Sequence, residues 1–257
     1  MIGFLLKKSF YGLWDNLYRL AMINVGFIVT VILPLMASAA LASIPALSIA
    51  IALACLFWVG LYLTATSRAV SAFVDGRSFG FADFFGELRS GLKTGALVAL
   101  FGLALVLVVL IVIPFYAAMN SALGIFIAAL SFWALLFGVL GLQFFLPFRS
   151  RMDGGARKLA KKSFLILLDN TGFALVTALY TLLLSALSLF FVFLIPGPAG
   201  VLLVLDESLR LRLLKYDYLE AHPQADRRKL PWNDILEEER EKTGTRSLRN
   251  LIFPWKD

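Results

Sequence analysis

The basic residues of this 257-residue chain are sorted in a way that only one kind of fold tolerates. Once the long apolar runs are marked, all 24 Lys and Arg residues fall at the same end of those runs. Lys7, Lys8 and Arg19 stand at or before the start of the first run, and Arg68, Arg77, Arg89 and Lys93 between the second and third. Arg149, Arg151, Arg157, Lys158, Lys161 and Lys162 lie between the fourth and fifth, and the remainder in the last segment and the tail. The turns at residues 39–44, 119–120 and 196–198 carry no charge. An excess of Lys and Arg on one side sets the orientation of a membrane protein. The pattern therefore predicts an all-α polytopic membrane bundle in the cell membrane, with both termini in the cytoplasm.

A spanning helix needs about 20 mostly apolar residues. The predicted spans are 20–38, 45–66, 95–118, 121–147, 172–195 and 198–216, six in three hairpins within residues 1–220, with a cytoplasmic tail over 221–257. Composition agrees: 60% of residues are hydrophobic and 16% charged, where a soluble domain runs near a quarter charged. The net charge of +7 follows from the same sorting, so no nucleic-acid partner is expected. A competing reading of the start is a cleaved signal peptide, with Lys7 and Lys8 before an apolar stretch and Ala37-Ser38-Ala39 as the cleavage site. It leaves the orientation of the rest unchanged.

The block Lys7-Lys8-Ser9-Phe10-Tyr11-Gly12-Leu13-Trp14-Asp15-Asn16 before span one matches Lys161-Lys162-Ser163-Phe164-Leu165-Ile166-Leu167-Leu168-Asp169-Asn170 before span five at seven of ten positions. The triplets Ile32-Leu33-Pro34, Val112-Ile113-Pro114 and Leu194-Ile195-Pro196 recur late in spans one, three and five. Before span three, Phe81, Phe84, Phe85, Leu88 and Leu92 fall at helical spacing. Each unit reads as an in-plane amphipathic helix, a span, an uncharged turn and a returning span. Either a parallel internal repeat or the common basic-aromatic-apolar approach of an in-plane helix to a bilayer accounts for it.

The stretch Gly60-Leu61-Tyr62-Leu63-Thr64-Ala65-Thr66-Ser67-Arg68-Ala69-Val70, then Val74-Asp75-Gly76-Arg77-Ser78-Phe79-Gly80-Phe81-Ala82-Asp83-Phe84-Phe85, then Leu88, Arg89, Leu92 and Lys93, resembles the core pattern of the YesL-like family of bacterial integral membrane proteins. The resemblance covers about Gly60 to Leu100. The chain departs from that pattern in the extra apolar run from Pro34 to Val59 and in a longer tail. The family has no established activity and is often associated with carbohydrate uptake. The resemblance thus implies an accessory membrane role and carries no catalytic residues across.

Chemical motifs are sparse. No phosphate-cradling glycine loop occurs. One His and one Cys cannot build a typical zinc site, so no metal, cofactor or catalytic set is expected and the chain is not read as an enzyme. His222 reads as a solvated loop residue and Cys55 as a small packing residue. The candidate site is Asp206, Glu207 and Arg210 in the sixth segment. If that helix starts at Pro198 near the outer face, Asp206 lies about 12 Å deeper and pairs along the helix with Arg210, forming a polar path. If Pro196-Gly197-Pro198 is recessed, the helix leaves early and these residues sit at the cytoplasmic boundary, which is the plainer geometry.

Asn24 and Gln143 are expected to hydrogen-bond across helices. Ala178, Thr181, Ser185 and Ser188 are expected to form a small-residue packing face. The basic connection of Arg149, Arg151, Arg157, Lys158, Lys161 and Lys162 is read as a contact for anionic lipid headgroups or for a cytoplasmic protein. In the tail, Asn233 is read as an N-cap, Asp234 to Thr243 as a short helix stopped by Gly244, and Leu248, Leu251, Ile252 and Trp255 as an amphipathic segment that packs back onto the protein's own cytoplasmic face or else takes a membrane surface or partner groove. The function expected is an accessory or scaffold membrane protein linked to carbohydrate uptake through a permease. The alternative is a small-molecule transporter or channel using the charged sixth helix.

Overall fold

A computed structural model describes residues 1–226, 230–244 and 246. Among them every regular element is a helix. Helix α1 is Ile2–Asp15; α2 is Leu17–Ala40 and α3 Pro45–Val74; α4 is Phe81–Ser90. Helix α5 is Leu92–Ala118 and α6 Ala122–Arg151; α7 is Ala156–Asp169; α8 is Thr171–Phe190 and α9 Gly197–Ala221. Two short helices follow, α10 (Trp232–Ile235) and α11 (Glu237–Thr243). The segment with Leu248, Leu251, Ile252 and Trp255 lies outside the described residues.

Five of these helices, α2, α3, α5, α6 and α8, are long and apolar enough to cross a membrane. Helix α9, expected as a sixth span over 198–216, is not among them. From its tenth residue on it carries Asp206, Glu207, Arg210, Arg212 and Lys215, which break the apolar run. Several boundaries also move, two of them by five residues or more. Helix α3 continues past Thr66 to Val74, because Thr66, Ser67 and Ser71 are buried against neighbours rather than facing water. Helix α8 stops at Phe190, short of 195.

The three amphipathic helices expected before spans one, three and five are present as α1, α4 and α7. Each is separated from the next helix by one residue: Asn16, Gly91 and Asn170. Asn16 and Asn170 are the last positions of the matched blocks, and they act alike. Asn16 Nδ2 donates to the Gly12 carbonyl (3.0 Å) and Asn170 Nδ2 to the Ile166 carbonyl (3.4 Å). Each amide adds a donor to a carbonyl of the interrupted last turn. The proline triplets also have a common consequence. Pro34 and Pro114 each follow a π-helical turn, Ile28–Ile32 and Val108–Val112. A helical proline removes one N–H and crowds the carbonyl four residues back, and the widened turn absorbs both. At Pro196 the third triplet instead falls in the α8–α9 turn.

Packing is uneven along the bundle. The large buried cluster includes Ala69, Val70, Phe73, Phe144, Phe148, Leu159, Ile166, Leu203 and Leu209, from the charged ends of α3, α6 and α7 and from α9. The charge-free ends bury little, and the apolar window of α5 buries nothing inside the protein. Leu100, Leu110, Leu123, Phe126 and Trp133 are exposed there. In lipid such side chains gain nothing by leaving the solvent, so helix contact is set by backbone approach. Helices α3 and α5 cross at Gly60 and Gly95, where a Cβ on either residue would overlap the other helix's backbone. At the far end of α2 and α3, Ser38 Oγ donates to the Ser48 carbonyl (2.8 Å) and Ser48 Oγ to the Ser38 carbonyl (2.9 Å), clasping the turn.

Helices α8 and α9 form a hairpin whose tip meets the middle of α2. Asn24 is 1% exposed. Its Nδ2 donates to the carbonyls of Leu194 (2.9 Å) and Pro196 (2.8 Å), and its Oδ1 accepts from the Ala199 amide (3.1 Å). Ser188 Oγ accepts from the Gly197 amide (3.0 Å). From Asn24 to Ala40 helix α2 rises a further 24 Å or so at 1.5 Å per residue. The hairpin therefore reaches only part of the way along the bundle.

Candidate functional site: a chain of ion pairs at the charged end

Three short local facts position the site. Asp75 caps the end of α3 just before Gly76, whose φ of +69° turns the chain sharply. Arg151 ends α6, and Asp206 and Arg210 stand one turn apart on α9. Helix α11 is stopped by Gly244 at φ +68°, as expected, and Glu239 lies in its first turn. The short stretch before it starts at Trp232, so Asn233 sits inside α10 rather than capping it.

Asp206 is fully buried, and Arg151 grips it with two parallel bonds: Nε to Oδ1 at 2.9 Å and Nη2 to Oδ2. This two-pronged geometry is the strong form of a carboxylate–guanidinium pair. Arg151 Nη1 also reaches Asp75 Oδ1 (3.2 Å), which takes a second bond from Arg210 Nη1 (2.7 Å). Arg210 Nη2 then meets Glu239 Oε1 (2.7 Å), whose other oxygen pairs with Lys8 Nζ. The result is an alternating chain, Asp206–Arg151–Asp75–Arg210–Glu239–Lys8. It links α9, the ends of α6 and α3, the tail helix α11 and the N-terminal helix α1. The expected Asp206–Arg210 pair is replaced by pairs to other segments. Glu207, 4% exposed, stays out of the chain: it packs beside Gly12 and its Oε2 has no hydrogen-bond partner.

Asp75, just past the end of α3, and Glu239, on α11, have lowered pKa values. Burial alone would raise that of Asp75, but the charges and hydrogen bonds of Arg151, Arg210 and Arg77 outweigh it. At Glu239 burial again opposes ionisation, and the Lys8 hydrogen bond with the charges of Lys8, Arg210 and Lys242 reverses it. A carboxylate held below its usual value stabilises the folded form above that value and ceases to do so as pH falls through the lowered one. Helix α11 is therefore expected to stay docked at neutral pH and to release below the ordinary glutamate value of about 4.5. Hydrogen exchange of residues 237–243 measures this. Protection should fall in acid, and Glu239→Gln should lose it already at neutral pH; protection independent of both would contradict the docking role.

A second cluster lies at the Asn170 break. Lys215 Nζ bonds Asp169 Oδ2 (2.7 Å) and Asn170 Oδ1 (3.0 Å), while the Tyr216 hydroxyl donates to Asp169 (2.7 Å) and accepts from Asn170 Nδ2 (2.8 Å). Arg212 lies on the face of Phe173, 3.8 Å from its centroid, with Trp232 at 5.6 Å.

The basic connection divides. Arg151 belongs to the ion chain, Arg149 Nε reaches Thr94 Oγ1 (3.4 Å), and Lys162 Nζ contacts Met152 Sδ (3.0 Å). Arg157, Lys158 and Lys161 are exposed on the first turns of α7, and no carboxylate among the described residues pairs with them. Gln143 does bond across helices, to the Ala174 carbonyl (3.3 Å). The small-residue face of α8 is only partly as expected. Thr177 and Ser188 are buried, whereas Ser185 is exposed and its hydroxyl folds back on the Thr181 carbonyl (2.7 Å). His222 is exposed and stacks on Tyr218, and Cys55 is buried. Among the described residues no group of three His, Cys, Asp or Glu side chains is arranged to hold a metal ion.

Compared with family models, curated proteins and solved structures, this chain matches none.

Proposed function

We propose that this chain is an accessory membrane protein that works through its cytoplasmic face, with the α9 charges serving as a structural tie rather than a solute path. The observation that carries the reading is the closed ion chain. Asp206 and Arg210 are paired with Arg151, Asp75 and Glu239, so within this row of ion pairs each of Lys8, Arg151 and Arg210 already has a carboxylate partner. The exposed Arg157, Lys158 and Lys161 then form the presented basic surface, suited to an acidic patch on a permease or cytoplasmic protein and to anionic headgroups.

In this reading the protein sits in the cell membrane with both termini in the cytoplasm. Lys8 of α1 pairs with Glu239 of α11, a contact that supports placing α1 and α11 on one side. That contact supports an even number of crossings: α2, α3, α5 and α6 cross singly, and α8 with α9 enters and returns as a pair from the cytoplasmic side. This reading has three hairpins, the third being shorter than a full crossing. Kinship with YesL-like proteins and a role beside a carbohydrate permease belong to the same proposal.

Gentle purification of the tagged protein from its native membrane tests it. A stoichiometric partner should be retained, and it should be lost when Arg157, Lys158 and Lys161 are changed together to Gln. Solute flux by the purified protein alone in proteoliposomes, abolished by Asp206→Asn, would replace this reading with a transporter.

A further inference from the structure

Helices α2, α3 and α4 enclose a cleft of about 380 Å³ that has no part in the ion chain. Its walls are aromatic: Trp58 and Tyr62 from α3 and Phe84 from α4, with Phe73 at the charged end. Tyr62 meets Phe84 edge to face at 5.2 Å between centroids. Gly26 on α2 is what lets Tyr62 in, since a Cβ there would collide with the tyrosine hydroxyl. At the rim Phe81 and Phe85 are 74% and 63% exposed and Tyr18 is 77% exposed. Soluble proteins do not leave such a run of aromatic surface to water.

The polar groups of the cleft are selective. The Tyr62 hydroxyl is committed to the Ile23 carbonyl (2.6 Å) and the Thr30 hydroxyl to the Gly26 carbonyl (2.7 Å). Two donors of the cleft have no acceptor among the described residues. Trp58 Nε1 is buried without a partner. Arg19, in the first turn of α2, is exposed, lies 5.2 Å from the centre of the Phe73 ring, and pairs with no carboxylate among the described residues. From Phe73 to Trp58 the cleft follows α3 for about 22 Å, more than the depth of one leaflet of a hydrocarbon core about 30 Å thick. Its cation stands at the charged end of the spans and its apolar length runs toward their middle.

We infer that this cleft holds an anionic membrane lipid, with the headgroup on Arg19 and one acyl chain along Trp58, Tyr62 and Phe84. An aqueous anion alone would leave the aromatic wall uncovered. A zwitterionic lipid brings its own cation to Arg19. An anionic amphiphile from the same leaflet satisfies both ends. The site is separate from the basic turns of α7 and does not depend on the accessory reading.

The test uses the full chain in mixed micelles with Trp14, Trp133, Trp232 and Trp255 changed to Phe, so that Trp58 is the sole indole. Titration with an anionic phospholipid carrying a brominated acyl chain should quench Trp58 saturably. The same chain on a zwitterionic headgroup should bind about five-fold more weakly, the effect of one basic residue at a membrane surface. Arg19→Gln should erase that preference, Arg19→Lys should keep most of it, and Arg89→Gln, on exposed α4 surface outside the cleft, should leave it intact. Equal quenching by both headgroups, or a preference that survives Arg19→Gln, would overturn the site and reduce it to ordinary lipid contact. Displacement of the lipid by inorganic phosphate or by an acidic peptide would assign Arg19 to a different occupant and overturn it equally.

Discussion

Arg151→Ala should lower the thermal midpoint of the detergent-purified protein by on the order of 10 °C. The substitution leaves Asp206 as a fully buried carboxylate with its two-pronged partner gone. Removing one member of a buried pair costs about 3–5 kcal/mol, far more than the pair contributes relative to an apolar alternative. For a chain of this size each kcal/mol moves the midpoint by roughly 2–4 °C. Arg151 also reaches Asp75, so the ends of α3 and α6 should loosen together. Arg151→Lys should recover only part of the loss, because an ammonium cannot make two parallel bonds to one carboxylate. The double variant Arg151→Met with Asp206→Leu should recover most of it, since it removes the buried charge along with its partner. Differential scanning fluorimetry on the four proteins decides the matter. A single variant as stable as the parent would mean that Asp206 is solvated in the folded protein and that the chain of pairs is not a tie.

Much of this architecture could be read from periodicity and charge. The five long apolar helices and the amphipathic helices before three of them follow from rules local to each segment: run length, aromatic spacing, and basic residues at one end. Asp206 and Arg210 were visible as charges in an apolar run, and the i, i+4 rule joined them to each other. That rule applies when nothing better is near. Here Arg151 and Asp75 arrive from helix ends distant in sequence, and Glu239 and Lys8 come from the two extremities of the chain. Pairing across such separations is set by how helices stack, and a single sequence carries no local trace of it. The aromatic cleft had a partial trace. Tyr62, Phe81, Phe84 and Phe85 stood in the family-like stretch, but their common cavity needs α2 and Gly26 opposite them. The extent of α9 was hard to read for a third reason. Hydropathy marks where a helix begins to be apolar, whereas the Pro196–Gly197 turn is held by side chains of α2 and α8, Asn24 and Ser188.

That amide makes the least intuitive expectation. In a membrane span Asn24→Leu raises hydropathy, and burying a leucine side chain stabilises by about 1.5–3 kcal/mol in water-to-apolar transfer. Here the same change is expected to destabilise. Asn24 serves two carbonyls and one backbone amide at a turn where regular helix bonds are interrupted. Each buried backbone group left alone costs about 1–3 kcal/mol, and three of them outweigh the transfer gain even if one finds another partner. Hydrogen bonds between membrane helices average well under this, near 0.6 kcal/mol, because the separated helices find substitutes. Turn carbonyls and an amide in the first turn of α9 have none in hydrocarbon. The net loss should be about 2 kcal/mol, seen as a fall in thermal midpoint of roughly 4–8 °C, together with faster hydrogen exchange at Ala199. Asn24→Asp should lose the two donated bonds and keep the accepted one, so Ala199 should remain protected while the midpoint still falls. If Asn24→Leu proves neutral, the α8–α9 tip is held by packing and by the Ser188–Gly197 bond, and the Asn24 contacts are not a tie.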